Sequence, residues 1–221
     1  MTATAIAAFF DFDQTLLEVE SGHMGIRMLQ EQKRLPLGYF LKVWIANLFY
    51  QRQLLSEAGM ARVLLTYYRR RRLAEFEATA EDFYRIYLKP HLAPRIMGRL
   101  EDHRREGHWL VLISGSVRYM LDPVVRDLRF DRLFCTDLEI GHRGLLTGRS
   151  KGPICVDKAK EDYARKFAVE ENIDLAASYA YGNHPADLPM LEAVGHPHVV
   201  EPTRALARIA ARRSWPVLSF R

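Results

Sequence analysis

The hydrophobic pattern divides the chain into two unlike stretches. Ile6 to Phe10 is a short, unbroken apolar run that stops at Asp11. A run of that length predicts a strand of a parallel sheet, buried on both faces. From about 21 to 90 the period changes to helical, in segments rich in Leu, Arg, Glu, Gln and Ala with few β-branched residues. Helices are predicted over 21–33, 37–52, 56–71 and 74–88. Pro36 and the Ser56-Glu57 start separate them, and Pro90 and Pro94 close the block.

Beyond Pro94 the two periods alternate. The pattern predicts a helix over 94–106, a strand from Trp109 to Ile113, a helix from Val117 to Leu128 and a strand from Leu133 to Thr136. A hairpin follows, with Leu138 to Ile140 paired to Leu145 to Gly148 around Gly141-His142-Arg143-Gly144. Next come a helix from Lys158 to Glu170, a strand from Ser178 to Tyr181, a helix over 187–193 and a strand from His198 to Val200. A helix over 203–212 leads into Trp215 to Leu218. Such alternation predicts an α/β fold with a Rossmann-like parallel sheet. The helical block interrupts it after the first strand. The expected organisation is therefore a core of 1–20 and 91–221 with an all-helical cap, 21–90, inserted in it.

Composition narrows the class. With 221 residues, 48% apolar and 27% charged, the chain can bury a sizeable core. A net charge of +5 permits an anionic ligand without demanding one. Two cysteines, Cys135 and Cys155, exclude a disulfide-stapled scaffold and fit a reducing, cytoplasmic setting. No apolar stretch is long and uncharged enough to span a membrane. Met1 to Phe10 lacks a basic leader segment and is read as the first strand rather than a signal peptide. The eight histidines are not expected to form a metal set, and no Cys-His pair has zinc spacing.

Candidate chemistry gathers at strand ends, where open α/β sheets place their ligands. Asp11-Phe12-Asp13-Gln14-Thr15-Leu16 ends the first strand. One of its two carboxylates can attack while the other handles a proton; the alternative is a loop of solvated acids. Val111-Leu112-Ile113-Ser114-Gly115-Ser116 is a strand running into small residues. There Ser114 Oγ and the N–H groups of Gly115 and Ser116 offer an anion site, or Ser116 simply caps a helix. Lys158 opens a helix after Asp157. Tyr181-Gly182-Asn183-His184-Pro185-Ala186-Asp187 closes another strand with oxygen ligands of the kind Mg²⁺ takes.

In this order, these segments resemble the haloacid dehalogenase-like (HAD) phosphohydrolases, nearest the branch similar to phosphoserine phosphatase. The residues that carry the likeness are Asp11-x-Asp13-x-Thr15, Ser114, Lys158 and Gly182-Asn183-(x)3-Asp187-Leu-Pro-Met-Leu. The Leu145-Leu146-Thr147-Gly148 hairpin and the segment from Gly195 to Val217 are similar as well. The resemblance implies the HAD fold and Mg²⁺-dependent hydrolysis of a phosphomonoester through an aspartyl-phosphate. Asp11 would attack phosphorus and Asp13 would serve as acid, then base. Ser114, Gly115 and Lys158 would hold phosphoryl oxygens, and Thr15 would orient the first loop. Asp11, Asp13 and Asn183 would bind the metal, with Asp187 beside it or positioning Lys158. Two departures stand out. Asn183 replaces the usual Asp, which predicts weaker metal binding. Gln14 replaces a smaller residue, and its side chain is expected to point away.

Substrate choice is expected to lie in the cap. Glu20, or Glu18, matches an acidic residue that contacts a substrate amine in phosphoserine phosphatases, which implies a phosphoserine- or histidinol-phosphate-like metabolite. Arg62 or Arg69 could bind a substrate carboxylate, and His184 sits inside the last motif. Tyr39, Phe40, Trp44, Phe49 and Tyr50 form an apolar helix face, expected to pack in the core or else to meet a lipid-like substrate. Arg69 to Arg72 reads as a solvated helix end, so no nucleic acid is expected as a partner. Alternative readings are a phospholipid-precursor phosphatase, a phosphotransferase and a phosphate-binding pseudoenzyme. Monomer and homodimer stay open.

Overall fold

The computed structural model describes residues 4–52 and 54–221. The first three residues of the expected Met1–Phe10 segment lie outside these. The first strand, β1 (Ala7–Phe10), is buried along its whole length. Its side chains alternate between two cores. Ala8 and Phe10 join one with Leu110 and Leu112, whereas Ala7 and Phe9 join the other with Val111 and Ile113. This division follows from the two-residue period of a strand covered on both faces.

The other strands are β2 (Trp109–Val117), β3 (Arg132–Thr136), β4 (Leu138–Ile140), β5 (Leu146–Ser150), β6 (Tyr179–Gly182), β7 (His196–Val200) and β8 (Val217–Leu218). Six of them form one sheet in the order β3-β2-β1-β6-β7-β8, and every neighbouring pair is parallel. Strands β4 and β5 pair separately as the expected antiparallel hairpin. Helices α5 (Pro94–Arg105) and α6 (Arg118–Leu128) cover one face through Ile96, Leu100, Leu121 and Val124. Helices α7 (Lys158–Glu170), α8 (Leu188–Glu192) and α9 (Arg204–Arg213) cover the other through Phe167, Leu191 and Leu206. The strand order reverses at β1, between β2 and β6. In doubly wound sheets the crevice beyond such a switch point receives the ligand.

Between β1 and β2 the chain is helical: α1 (Ser21–Glu31), α2 (Leu37–Gln51), α3 (Glu57–Leu65) and α4 (Leu73–Phe83), with short turns after α3 and α4. The insertion leaves and returns through a narrow neck. Leu17 bridges Leu92, Glu18 N–H donates to the His91 carbonyl and Ala93 N–H to the Leu16 carbonyl, both at 2.8 Å.

Two expectations about this block are corrected. The third helix stops at Leu65, where Thr66 Oγ1 donates back to the Val63 carbonyl at 2.7 Å and competes with the helical ladder. Arg69 to Arg72 are consequently not a helix end. Arg70 N–H donates to the Leu146 carbonyl and Leu146 N–H to the Arg71 carbonyl, so the run lies along β5. Gly148 makes room, since a Cβ there would sit 2.9 Å from Arg69 Cβ. The aromatic face of α2 is also not core. Trp44 is 53% exposed and Phe49 51%, while Tyr39, Phe40, Trp44 and Tyr50 line a cavity. Among the described residues, no helix is long and apolar enough to cross a membrane.

Candidate active site

Asp11 follows the last residue of β1, and its N–H donates to the Tyr181 carbonyl on β6 at 3.0 Å. The next turn needs a left-handed residue, and Gln14 supplies it at φ 53° and ψ 21°. The side chains of the segment thereby separate. Asp11 is buried, and Thr15 Oγ1 donates to its Oδ2 at 3.1 Å. Asp13 turns toward the helical insertion, where it accepts from Ser21 N–H at the start of α1 and from Ser116 Oγ at 2.8 Å. An acidic group at a helix N-terminus is favoured by the peptide dipoles.

The cation at this site is Lys160. Its Nζ lies 2.5 Å from Asp11 Oδ1 and 2.5 Å from Asp187 Oδ1, with all three side chains buried. Lys158 is corrected: its side chain is 66% exposed and pairs with Glu161 and Asp162 on its own helix. Residues two apart on a helix point to opposite sides. Lys160, Ala164, Phe167 and Ala168 form the buried stripe of α7, and Lys158 faces out with Glu161 and Arg165. A lysine on the apolar stripe was the signal that would have selected Lys160.

Asp187 binds through both oxygens. Oδ1 takes Lys160, and Oδ2 accepts from the N–H groups of Asn183 and His184, each at 3.0 Å. Gly182 permits this approach, because a Cβ there would lie 2.7 Å from Asp187 Cβ. Through these three bonds Asp187 holds both Lys160 and the loop after β6. The Gln14 side chain does not point away. Its Oε1 accepts from Asn183 Nδ2 at 3.0 Å, which leaves Asn183 Oδ1 as the acceptor available to a cation.

Two carboxylates here share one ammonium. Burial pushes the Asp11 carboxyl up to about 7; Lys160 opposes the rise and Asp187 adds to it. Burial acts against the charge on Lys160, but Asp11 and Asp187 outweigh it and hold its pKa above the ordinary lysine range. Cys155, close by, is raised to about 12 by burial and is no thiolate nucleophile at neutral pH.

These residues open into a cavity of about 670 Å³ shared with the helical insertion. Asp11, Asp13, Lys160, Asn183 and Asp187 line its polar end, with Gly115 and Ser116 from β2. Ser114 and Thr15 stand behind that wall. Ser114 is fully buried and accepts from Ser116 N–H at 3.1 Å, and Thr15 is spent on Asp11. Ser116 neither caps α6 nor stays free: its Oγ bonds Asp13 and lies 2.8 Å from Ser21 Oγ. Glu20, His23, Tyr50, Glu57 and His184 occupy one side of the cavity. Tyr50 Oη donates to Glu57 and lies 3.2 Å from His184 Nε2, joining α2, α3 and the loop after β6. Burial, Asp13 and Glu57 raise the Glu20 pKa against the pull of His23. The far end is apolar, with Ile26, Trp44, Met60, Tyr68, Phe76 and Tyr119. Arg62 is exposed and does not line the cavity; Arg69 likewise lies outside it.

Comparison with known proteins identifies the family to which this fold belongs. The family model for haloacid dehalogenase-like hydrolases matches residues 8–192. The chain belongs to this family. A Streptomyces azureus relative, "Inhibition of morphological differentiation protein", is 34% identical over 148 residues, which are 65% of this chain and 51% of that protein. The chain thus spans about half the length of that relative. A Neisseria meningitidis protein named histidinol-phosphatase is 27% identical over 97% of this chain and 98% of its own length. Among solved structures, a phospho-aspartyl intermediate analogue of phosphoserine phosphatase superposes with a TM-score of 0.72 over 99% of this chain and 95% of that one. At 17% identity that likeness establishes the HAD fold.

Proposed function

We propose that the protein is a Mg²⁺-dependent phosphomonoesterase that works through an aspartyl-phosphate on Asp11. The carrying observation is the buried Lys160 ammonium, 2.5 Å from both Asp11 and Asp187 beside Asp13. Asp11 attacks phosphorus in line, and the departing alkoxide takes a proton from Asp13. Asp13 then takes a proton from water, which attacks the phosphorus of the aspartyl-phosphate and frees Asp11 and inorganic phosphate. Lys160 stabilises the charge gathered on the phosphoryl oxygens, and Gly115 and Ser116 bound the same space. Asp187 keeps Lys160 aimed at that position.

The hard oxygen donors of Asp11, the Asp13 carbonyl and Asn183 fit Mg²⁺, and the excess of carboxylate over ammonium favours a cation there. When bound, the ion supplies charge neutralisation at the phosphoryl group.

The substrate we infer is a small, cytoplasmic phosphomonoester with a cationic amine and a bulky apolar or aromatic body. Glu20 and Glu57 supply acidic partners for the amine, and the aromatic half of the cavity exceeds what a serine side chain needs. The likeness to a protein named histidinol-phosphatase over nearly the full length of both chains supports such a substrate. A second reading follows from Phe40 and Trp44, which line the cavity and are also exposed. An amphiphilic phosphomonoester could enter there from a lipid surface.

The test is phosphate release across a Mg²⁺ titration, first from an aryl phosphate and then from phosphoserine, histidinol phosphate and phosphatidylglycerophosphate. Turnover is expected with Mg²⁺ and absent with EDTA or in Asp11→Asn. Turnover that persists in Asp11→Asn excludes the aspartyl-phosphate route, and a preference for the lipid selects the second reading.

A further inference from the structure

Helix α5 ends in His103-Arg104-Arg105, and the chain turns through Glu106-Gly107-His108 into β2. This corner lies at the N-terminal end of β2, away from Asp11, and His108 is about 20 Å back along the strand from Ser114. Gly107 takes φ +73°, and the turn closes with His108 N–H donating to the His103 carbonyl at 3.0 Å. Three ligand atoms converge as a result. His103 Nδ1 lies 2.9 Å from His108 Nδ1, and Glu106 Oε2 lies 3.5 Å from that same nitrogen. All three fall within 4.8 Å of one another.

A carboxylate oxygen accepts only, so Glu106 calls for a proton on His108 Nδ1. Tyr181 Oη lies 2.9 Å from His103 Nε2 and can take its proton, which leaves a lone pair on His103 Nδ1. The His108 N–H then bonds His103 Nδ1, and the Glu106 carboxylate lies 3.5 Å away as a further lone-pair donor. A divalent cation satisfies all three donors at once. The His108 proton moves to Nε2, and neutral imidazole binds through Nδ1. Edges of 2.9 and 3.5 Å need only small shifts around a cation bound at about 2.0–2.2 Å by nitrogen and carboxylate oxygen. The Tyr181 contact is the outer-shell support that metal-binding histidines usually have. Beside His103 and Glu106 is a cavity of about 290 Å³, lined also by Arg99, Asp102, Arg105 and His198, with room for water as a further ligand.

We propose that His103, Glu106 and His108 form a second metal site, selective for an imidazole-seeking divalent ion of the Zn²⁺ class and separate from the site at Asp11. Two imidazoles and one carboxylate favour such ions over Mg²⁺. The proposal does not depend on the phosphatase reading.

The test is calorimetric titration of the full chain with Zn²⁺ under saturating Mg²⁺, repeated with Co²⁺ as a spectroscopic probe. One saturable equivalent per chain is expected in the wild type and in Asp11→Asn. Glu106→Gln and His108→Gln should each weaken it at least about tenfold and change the Co²⁺ absorption. Glu106 is 59% exposed, so its variant should fold even where a change at His108 does not. No saturable equivalent, or an affinity unchanged in Glu106→Gln, overturns the proposal.

Discussion

Gln14 Oε1 accepts from Asn183 Nδ2 at 3.0 Å, so the two residues that depart from the family pattern touch each other. The contact joins the turn after β1 to the loop after β6 and commits Asn183 Nδ2, leaving its Oδ1 as the available acceptor. An amide offers less charge than a carboxylate. Asn183→Asp is therefore expected to lower the Mg²⁺ concentration for half-maximal turnover about tenfold. That is about 1.4 kcal/mol, well under the ~4 kcal/mol of a full charge pair at 4 Å near a protein surface. Gln14→Ala should raise the requirement about fivefold, the loss of one hydrogen bond of about 1 kcal/mol. Mg²⁺ titrations of both variants by calorimetry and by turnover decide the point; an unchanged requirement in Asn183→Asp removes residue 183 from the metal site.

Lys160 and Lys158 should respond oppositely to substitution. Lys160→Met leaves Asp11 and Asp187 buried without their cation, a loss of about 3–5 kcal/mol in folding together with loss of turnover. Lys158→Ala removes exposed ion pairs and should stay within about 0.5 kcal/mol of the wild type, with kcat/KM unchanged. Urea unfolding and steady-state kinetics on the same preparations separate the two. Lost turnover in Lys158→Ala would contradict this assignment.

The contrast between these lysines also shows what was legible before folding. Periodicity located the strands, because a sheet covered on both faces demands runs like Ala7–Phe10, and it set α7 at Lys158–Glu170. It also placed the Asp11 and Asp13 carboxylates at the end of a strand. Lys158 looked correct because it opens a helix. The apolar stripe through Ala164 and Phe167 points to Lys160 instead. Other contacts had no local signal. Gln14 reaches Asn183 across 169 positions, and Tyr50 reaches His184 across 134. Arg69–Arg72 read as helix because nothing nearby in sequence announces that Leu146 will pair with them.

The buried carboxylates should leave a pH signature in metal-free protein. Asp11 rises from an ordinary value of 3.8 to about 7 on folding. A carboxyl raised in the folded state contributes stability that is full below pH 3.8 and is lost as pH climbs toward 7. Asp11→Asn removes the ionisation and keeps the shape. The melting-temperature difference, variant minus wild type, is expected to be small near pH 4 and to grow in the variant's favour up to about pH 7. Saturating Mg²⁺ should shrink it by stabilising the wild type. Thermal melts in EDTA across this range test the sign: a flat difference would show that Lys160 fully compensates Asp11, and one that falls with pH that it more than compensates.

Glu57 offers the sharpest test of substrate class, because it lines the cavity without belonging to the phosphoryl-handling group. Its carboxylate accepts from Tyr50 Oη, and His184 Nδ1 lies 3.8 Å away. If acidic residues hold a substrate amine, the interaction is made in the bound state and carried unchanged into the transition state. Such uniform binding appears in KM and leaves kcat alone. Glu57→Gln keeps the size and the acceptor for Tyr50 but loses the charge. For an amine-bearing phosphomonoester, KM should rise about tenfold, on the scale of a charged hydrogen bond of about 1.5–3 kcal/mol, with kcat within about twofold. For an aryl phosphate without an amine, both constants should hold. A fall in kcat for both substrates would instead place Glu57 in closing the insertion over the core through Tyr50 and His184, and the amine would then rest on Glu20 alone.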